Sequence, residues 1–159
     1  MQDSLIKIRP HHLLCIHFFE GKGYSQDFID NMTDIKSFLE ETNPYVKIVN
    51  NADDICSMCP KRDGNNCMNI EDIEGHDKRV WNKVREDLAK LAEKNKENVG
   101  AIKDTECPVG KEEYNNSYDF VCVRWNTISN VIKNNIIDSK LVKDVCIKCR
   151  WSDICFNKS

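Results

Sequence analysis

Apolar side chains recur every three or four residues over much of the chain, and this spacing predicts helices with one buried face. A first helix is predicted over residues 11–20, beginning after Pro10 and ending before Gly21. Ser25 is placed to cap a second helix. The apolar face of that second helix contains Phe28, Met32, Ile35 and Leu39.

Helical spacing returns later in the chain, and strict alternation of apolar and polar residues predicts short strands. Three more helices are predicted over residues 71–95, 126–135 and 140–145, with Asp138 or Ser139 as the cap of the last one. Strands are predicted over residues 4–9 and 45–49, which we expect to pair, and over residues 118–125. Residues 96–117 are charged and irregular, so we expect an exposed connection there.

These elements predict a mainly helical α+β fold, with a short strand pair and two cysteine-rich loops. The 159 residues form one predicted domain, because a single domain takes roughly 100–200 residues. A hydrophobic fraction of 40% and a charged fraction of 31% are typical of a globular protein and not of a disordered chain.

Neither a membrane span nor an export signal is visible in the sequence. No apolar run approaches the roughly 18 residues that a span requires, and no basic stretch precedes an apolar one at the N-terminus. We therefore expect a cytoplasmic protein. The net charge of −3 makes nucleic acid an improbable partner, because phosphate binding usually requires a basic surface.

The chain has nine cysteines, an odd number, and disulfides are uncommon in a reducing cytoplasm. Metal binding or redox chemistry is therefore the leading explanation for them. Six of them form two local clusters, each beginning with a C-x2-C motif. The clusters are Cys56, Cys59 and Cys67 (C-x2-C-x7-C), and Cys146, Cys149 and Cys155 (C-x2-C-x5-C). Two intervening residues let both thiolates turn toward one metal, so the clusters predict metal sites of the iron–sulfur or zinc type.

Each cysteine cluster offers three thiols, which favours an iron–sulfur centre of the 4Fe–4S type over zinc. A structural zinc site more often takes two ligands from each of two loops. One or two clusters are possible, with a fourth ligand drawn from elsewhere, and a cluster with only three thiolates would leave one iron open to substrate. Cys107 and Cys122 lie in or beside the irregular connection and are predicted to be free thiols. Trp151 is predicted to shield the metal from water.

The N-terminal helix places three histidines beside a cysteine. His11 and His12 precede Cys15 by four and three residues, so each pair shares a helix face. Cys15 is either a remote cluster ligand or a small buried residue. His11 and His12 are candidate ligands or proton donors, with hydrogen bonding at the helix start as the alternative. Arg9 either neutralises a cluster or binds an anion, or it lies on the surface.

Several of these motifs, in this order, resemble the domain of unknown function 1284 family. They are the segments from Ile8 to Cys15, from Gly21 to Ser25, from Asp53 to Pro60 with Cys67, and from Cys146 to Cys155. Members are small bacterial and archaeal proteins suspected of binding iron–sulfur clusters, without an assigned reaction. The resemblance implies seven shared cysteines, namely Cys15, Cys56, Cys59, Cys67, Cys146, Cys149 and Cys155.

The stretch 91–123 looks longer than in the usual member, so we interpret it as a family-variable insertion. Cys107 and Cys122 fall inside it and are doubtful ligands of a shared site. The seven remaining cysteines fit one four-thiolate cluster and one three-thiolate site. That division is our interpretation of the count.

Three functions follow as expectations. The first is a cytoplasmic iron–sulfur protein with a redox or electron-transfer role and a partner protein. The second is an enzyme with an open-coordination iron, in which His11, His12 or Arg9 serves a substrate that the sequence does not identify. The third is a zinc-stabilised module that binds another protein.

Overall fold

A computed structural model describes residues 5–64, 66–67, 73–94 and 121–158. Six helices and five strands lie within these ranges. The helices are α1 (Pro10–Phe18), α2 (Gln26–Thr42), α3 (Ile73–Lys94), α4 (Trp125–Ile132), α5 (Val142–Val145) and α6 (Ser152–Lys158). The strands are β1 (Ile6–Ile8), β2 (Tyr45–Ile48), β3 (Arg62–Asp63), β4 (Asn66–Cys67) and β5 (Val121–Arg124). The predicted mainly helical α+β fold is confirmed.

A three-stranded sheet forms one layer, with β2 in the middle. β1 runs parallel to β2, with Ile6 opposite Val46, and β5 runs antiparallel to β2, with Val123 opposite Val46. The predicted pairing of the first two strands is therefore confirmed, and the third strand enlarges the expected strand pair. A separate hairpin of β3 and β4 follows the first cysteine motif.

Helix α1 lies at the centre of the molecule, packed against α3, α4 and α6. Its start follows from Pro10, which occupies the first turn without losing a needed N–H donor. The helix is apolar on most sides, as expected of a helix covered by several neighbours. Its side chains Leu13, Leu14 and Ile16 are almost completely buried.

The predicted boundaries of α2 are confirmed by its caps. Ser25 Oγ accepts a hydrogen bond from the Phe28 N–H at 3.2 Å, and Asn43 closes the other end in the left-handed conformation. The predicted cap of α5 is wrong. The cap position belongs to Leu141, because the chain after α4 continues as a π-helical turn over Lys133–Ile137 and Ser139 Oγ instead donates to the Asn134 carbonyl.

Within the described residues, no helix combines the length and the apolar character needed to cross a membrane. The predicted exposed connection over 96–117 lies outside these residues.

Candidate metal centre

The first cysteine loop makes a tight turn between its two leading cysteines. A 3-10 turn covers Cys56–Met58, and the Cys59 N–H donates to the Cys56 carbonyl oxygen at 3.0 Å. The β3–β4 hairpin then reverses the chain, with Arg62 opposite Cys67. Arg62 N–H also donates to the Cys59 carbonyl oxygen at 3.1 Å, so the hairpin brings the third cysteine back to the first two.

This loop is anchored on the sheet and on α2. Lys7 N–H donates to Asp54 Oδ2 at 2.8 Å, and Asp54 N–H donates to the Lys7 carbonyl at 3.1 Å. From α2, Asn31 Nδ2 donates to the Asp54 carbonyl at 2.9 Å. Ile55 is completely buried and fixes the loop in the core.

The second cysteine loop repeats the same turn at the other end of the chain. Cys149 N–H donates to the Cys146 carbonyl at 3.2 Å, with Lys148 in the left-handed conformation between them. Helix α3 holds this loop through two side chains. His76 Nε2 donates to the Ile147 carbonyl at 2.6 Å, and Arg79 Nε donates to the Val145 carbonyl at 3.1 Å.

Seven described cysteines outside disulfides divide into a group of four and a group of three. Cys15 of α1 borders the same cavity as Cys149 and Cys155 of the second loop. Burial, and then the nearby Cys149, Cys146 and Cys155 sulfurs, raise the pKa of Cys15 well above the ordinary value. Burial, together with Cys149 and Cys155, raises the pKa of Cys146 to about 12. We call Cys15, Cys146, Cys149 and Cys155 the four-thiol group.

Cys56, Cys59 and Cys67 make up the three-thiol group. Burial raises the pKa of Cys59, and the neighbouring Cys67 sulfur raises it further. Burial and the Asp53 carboxylate raise the pKa of Cys56 to about 12. All the thiols of both groups except Cys146 line a single cavity of about 110 Å³.

The spacing of the sulfurs bears on what they can bind. Four thiolates on one zinc ion, each at about 2.3 Å, would lie within about 4.6 Å of one another. Among the described residues, the only three metal-ligating side chains whose donor atoms all lie within 4.8 Å of each other belong to His12, Asp53 and Cys56. No three sulfurs of either group meet this distance criterion.

Two histidines at the start of α1 face the same cavity, and each is oriented by a buried carboxylate. His12 Nδ1 lies 2.7 Å from Asp53 Oδ2, and His11 Nδ1 lies 2.6 Å from Asp77 Oδ1. The ring centroids are 4.2 Å apart. Because the carboxylates accept, Nδ1 carries the proton in each neutral ring and Nε2 keeps its lone pair.

Arg9 completes this polar layer. Its Nε and one terminal nitrogen donate to Asp77 Oδ2 at 3.0 and 2.8 Å, and its side chain is almost completely buried. Arg9 is therefore an internal ion-pair partner that also borders the cavity, so the alternative of a surface position is wrong, and its role toward a cluster or an anion stays a prediction.

Burial and neighbouring charges act in opposite directions on the pKa values of the two carboxylates in this polar layer. Burial alone would raise the pKa of Asp77, but His11 and Arg9 hold it well below its usual range. Burial, and then the nearby His12, lower the pKa of His11 to about 4, although Asp77 acts to raise it. Burial would also raise the pKa of Asp53, but His12 and two backbone N–H donors bring it below its ordinary value.

Aromatic rings close one side of the cavity. Trp151 lies in the second cysteine loop and meets Tyr24 edge to face, with ring centroids 5.3 Å apart. Tyr24 in turn meets Phe28 at 5.5 Å. Trp151 therefore borders the cavity, and its role as a shield of a metal against water stays a prediction.

The two remaining cysteines lie outside both groups. Cys122 is buried on β5 and is disulfide-bonded, so its prediction as a free thiol is wrong. The spacing of cysteines along the sequence does not show which side chain lies beside Cys122 in the folded protein, so the disulfide could not be predicted. Cys107, predicted to be a free thiol, lies outside the described residues.

Four site residues were missed by the sequence reasoning, namely Asp53, His76, Asp77 and Arg79. The signal for Asp77 was present, because Asp77, Trp81, Val84 and Leu88 follow helical spacing and place a carboxylate on a buried face. Asp53 stands three residues before Cys56, where its Oδ1 accepts the Cys56 N–H at 3.0 Å.

A family model described as "Protein of unknown function (DUF1284)" matches residues 23–122, which is more than half of the chain. The chain belongs to the DUF1284 family. The DUF1284 match contains the three-thiol group, but it begins after Cys15 and ends before Cys146. It also covers most of the stretch 91–123, whose interpretation as a family-variable insertion stays a prediction. No curated protein and no solved structure matches the chain.

Proposed function

We propose that this protein is a cytoplasmic iron–sulfur protein with a redox role, in which each thiol group holds one cluster, of the 4Fe–4S type. One observation carries the proposal. Thiols from opposite ends of the sequence gather as a four-thiol and a three-thiol group around one cavity.

The sulfur spacing supports clusters over zinc. Thiolates that hold a cubane cluster bind four different irons, so they stand farther apart than thiolates on one ion. Among the described residues, no three sulfurs of either group lie within 4.8 Å of one another, and six of the seven thiols border a cavity of about 110 Å³. On the same measure one water molecule needs about 10–15 Å³, so the cavity has room for more than a single ion.

The surroundings support a redox role. When bound, iron–sulfur clusters take up and release single electrons, with a potential set by burial and by hydrogen bonds to the sulfurs. Here Cys146 and Cys155 are buried, and Trp151 and Tyr24 cover the cavity. Both groups border the same cavity, which favours electron exchange between two clusters and then with a partner protein.

Metal analysis of anaerobically purified protein tests the proposal. We expect about eight irons with matching sulfide per chain for two 4Fe–4S clusters, and an absorbance band that bleaches on reduction. Crossed substitutions provide the control. Cys15→Ser and Cys155→Ser should remove the same half of the iron, whereas Cys56→Ser and Cys67→Ser should remove the other half. Zinc without iron would contradict the proposal and turn the same cysteines into a structural scaffold.

An enzyme with an open iron is a second candidate, because among the described residues no fourth sulfur joins the three-thiol group, which shares its cavity with His11, His12 and Arg9. Titration of the reduced protein with small anions and thiols tests it. A change in the electron paramagnetic resonance spectrum that Cys56→Ser abolishes would support this candidate. An unchanged spectrum at saturating additions would count against it.

A further inference from the structure

His12 lies between a buried carboxylate and the three-thiol group. Its Nδ1 is held at 2.7 Å by Asp53 Oδ2, while its ring lines the cavity. The His12, Asp53 and Cys56 donor atoms all lie within 4.8 Å of one another. The His12 ring therefore lies beside the first cysteine of the loop, with Nδ1 turned to Asp53.

Asp53 is occupied as an acceptor and does not line the cavity. Its Oδ2 accepts the Arg9 N–H at 2.8 Å and faces His12 Nδ1, and its Oδ1 accepts the Cys56 N–H at 3.0 Å. A single carboxylate thus fixes the histidine ring and the cysteine loop relative to each other. Carboxylate–histidine pairs of this kind orient histidines that bind metal through the other nitrogen.

His11 does not share this link. Its Nδ1 and backbone N–H are held by Asp77 of α3, which makes no contact with the first cysteine loop among the hydrogen bonds of the described residues. On its other side, His11 meets the ring of His76. The two neighbouring histidines are therefore oriented by carboxylates of different elements. Of these two carboxylates, only Asp53, which orients His12, also bonds to a cysteine loop.

We propose that His12 Nε2 is the fourth ligand of the three-thiol group, which makes this centre a Cys3His site, and that Asp53 is its positioning residue. This inference rests on the proposed function, because it requires that the three-thiol group holds a metal centre. His12 Nε2 would fill the fourth coordination position of the three-thiol group, for which the seven cysteines supply no thiolate.

The decisive experiment uses the wild-type protein labelled with [15N]histidine, reconstituted anaerobically with iron and sulfide and then reduced. Pulsed electron paramagnetic resonance detects a nitrogen bound directly to a cluster as a strong hyperfine coupling. We expect one such coupling. An iron-loaded, reduced protein without it would overturn the inference and leave the proposed function standing.

Substitutions assign the coupling to one ring. His12→Ala should abolish it, and His12→Cys should abolish it while keeping the iron, since a thiolate replaces the imidazole. His17→Gln is the matched control, because His17 lies on the same helix and is turned toward Ser129, away from the site. Loss of the coupling in His11→Gln, with retention in His12→Ala, would assign the ligand to His11 and overturn the inference.

Asp53 is tested against its neighbour. Asp53→Asn should weaken metal affinity of the three-thiol group by about 10–100-fold, as is usual for residues that orient metal-bound histidines, and should shift the hyperfine coupling. Asp54→Asn is the control, because the Asp54 carboxylate accepts the Lys7 N–H in the same loop. Equal effects of both substitutions would reduce Asp53 to a structural role.

Failure of the two proposals is distinguishable. A protein that takes up no iron overturns the proposed function. The ligand assignment is then decided by titrating the labelled protein with Co²⁺, which reports nitrogen coupling at the same residues. A cobalt-loaded protein without a His12 coupling overturns the inference as well.

Discussion

Asp77 is the residue on which most of the polar layer beside the cavity depends. It is completely buried, and it accepts hydrogen bonds from the Arg9 guanidinium and from the His11 backbone and ring. A buried guanidinium without a counter-charge is costly, because it has lost its hydration. Asp77 therefore neutralises Arg9 and orients His11 at once.

Asp77→Ala should lower the free energy of unfolding by about 3–5 kcal/mol, because it leaves Arg9 buried without its partner. Urea denaturation of the metal-free protein measures the loss. Asp87→Ala is a suitable control, since Asp87 lies on the same helix in a partly exposed position. A loss no larger than that of the control would contradict this account of the ion pair.

Acid should weaken the same ion pair in a defined direction. The pKa of Asp77 is held well below its ordinary value in the folded protein, so its contribution is complete above about pH 4. That contribution is lost as the pH falls through the lowered folded value. Wild type should therefore lose more stability than Asp77→Asn between about pH 4 and pH 2. Parallel pH profiles of the two proteins would rule the linkage out.

At the scale of elements, two helices hold the two cysteine loops. Asn31 of α2 binds the first loop through the Asp54 carbonyl, and His76 of α3 binds the second loop through the Ile147 carbonyl. Each loop is thereby set by a helix that carries none of the cysteines. The loops are separate local structures, and both border the cavity.

Asn31→Ala should loosen the first loop, and His76→Ala should loosen the second. The rate of alkylation of each cysteine in the metal-free protein, measured by mass spectrometry, reports how far each loop has loosened. We expect faster labelling of Cys56 and Cys59 in the first variant, and of Cys146 and Cys149 in the second. The variants serve as controls for each other, and equal acceleration at all four cysteines would mean general destabilisation instead.

Elements with strong local signals were predictable from the sequence. The α2 cap and the long helix α3 follow from side-chain chemistry and apolar spacing, and both were predicted within a few residues. The hairpin of β3 and β4 and the last helix α6 were missed, because elements of two to seven residues carry too little periodicity. The cap of α5 was wrong because a π-helical turn shifted the start of that helix.

The site shows the same division. Cysteine spacing predicted two local groups of three, and the resemblance to the family added Cys15. What spacing could not give is the contact between Cys15 and the second loop, or the carboxylates behind the histidines. Asp77 reads as one more charged residue of an amphipathic helix until its position on the buried face is compared with Trp81.

At the scale of the whole molecule, the four-thiol group joins α1 to the C-terminal loop across the core. A metal centre that binds only the folded state adds to its stability by mass action, by about 2.7 kcal/mol at a hundredfold excess over Kd. For a domain of this size that corresponds to a rise of about 5–11 °C in Tm.

Removal of the metal should therefore lower the Tm by about 5–11 °C in calorimetry of otherwise identical samples. Cys155→Ser should show a smaller difference between its metal-loaded and metal-free forms than wild type does. Equal Tm values for the two wild-type forms would show that the cysteine groups do not couple metal to the fold.

The distance along the chain between Cys15 and Cys155 has a consequence for biosynthesis. During translation, all three cysteines of the three-thiol group are present once Cys67 has left the ribosome, whereas Cys15 waits for Cys155. At about 5–20 residues per second, the roughly 90 residues that separate Cys67 from Cys155 take about 4–18 seconds to make. Under the proposed function, a cluster can therefore enter the three-thiol group while the four-thiol group still lacks its last cysteine.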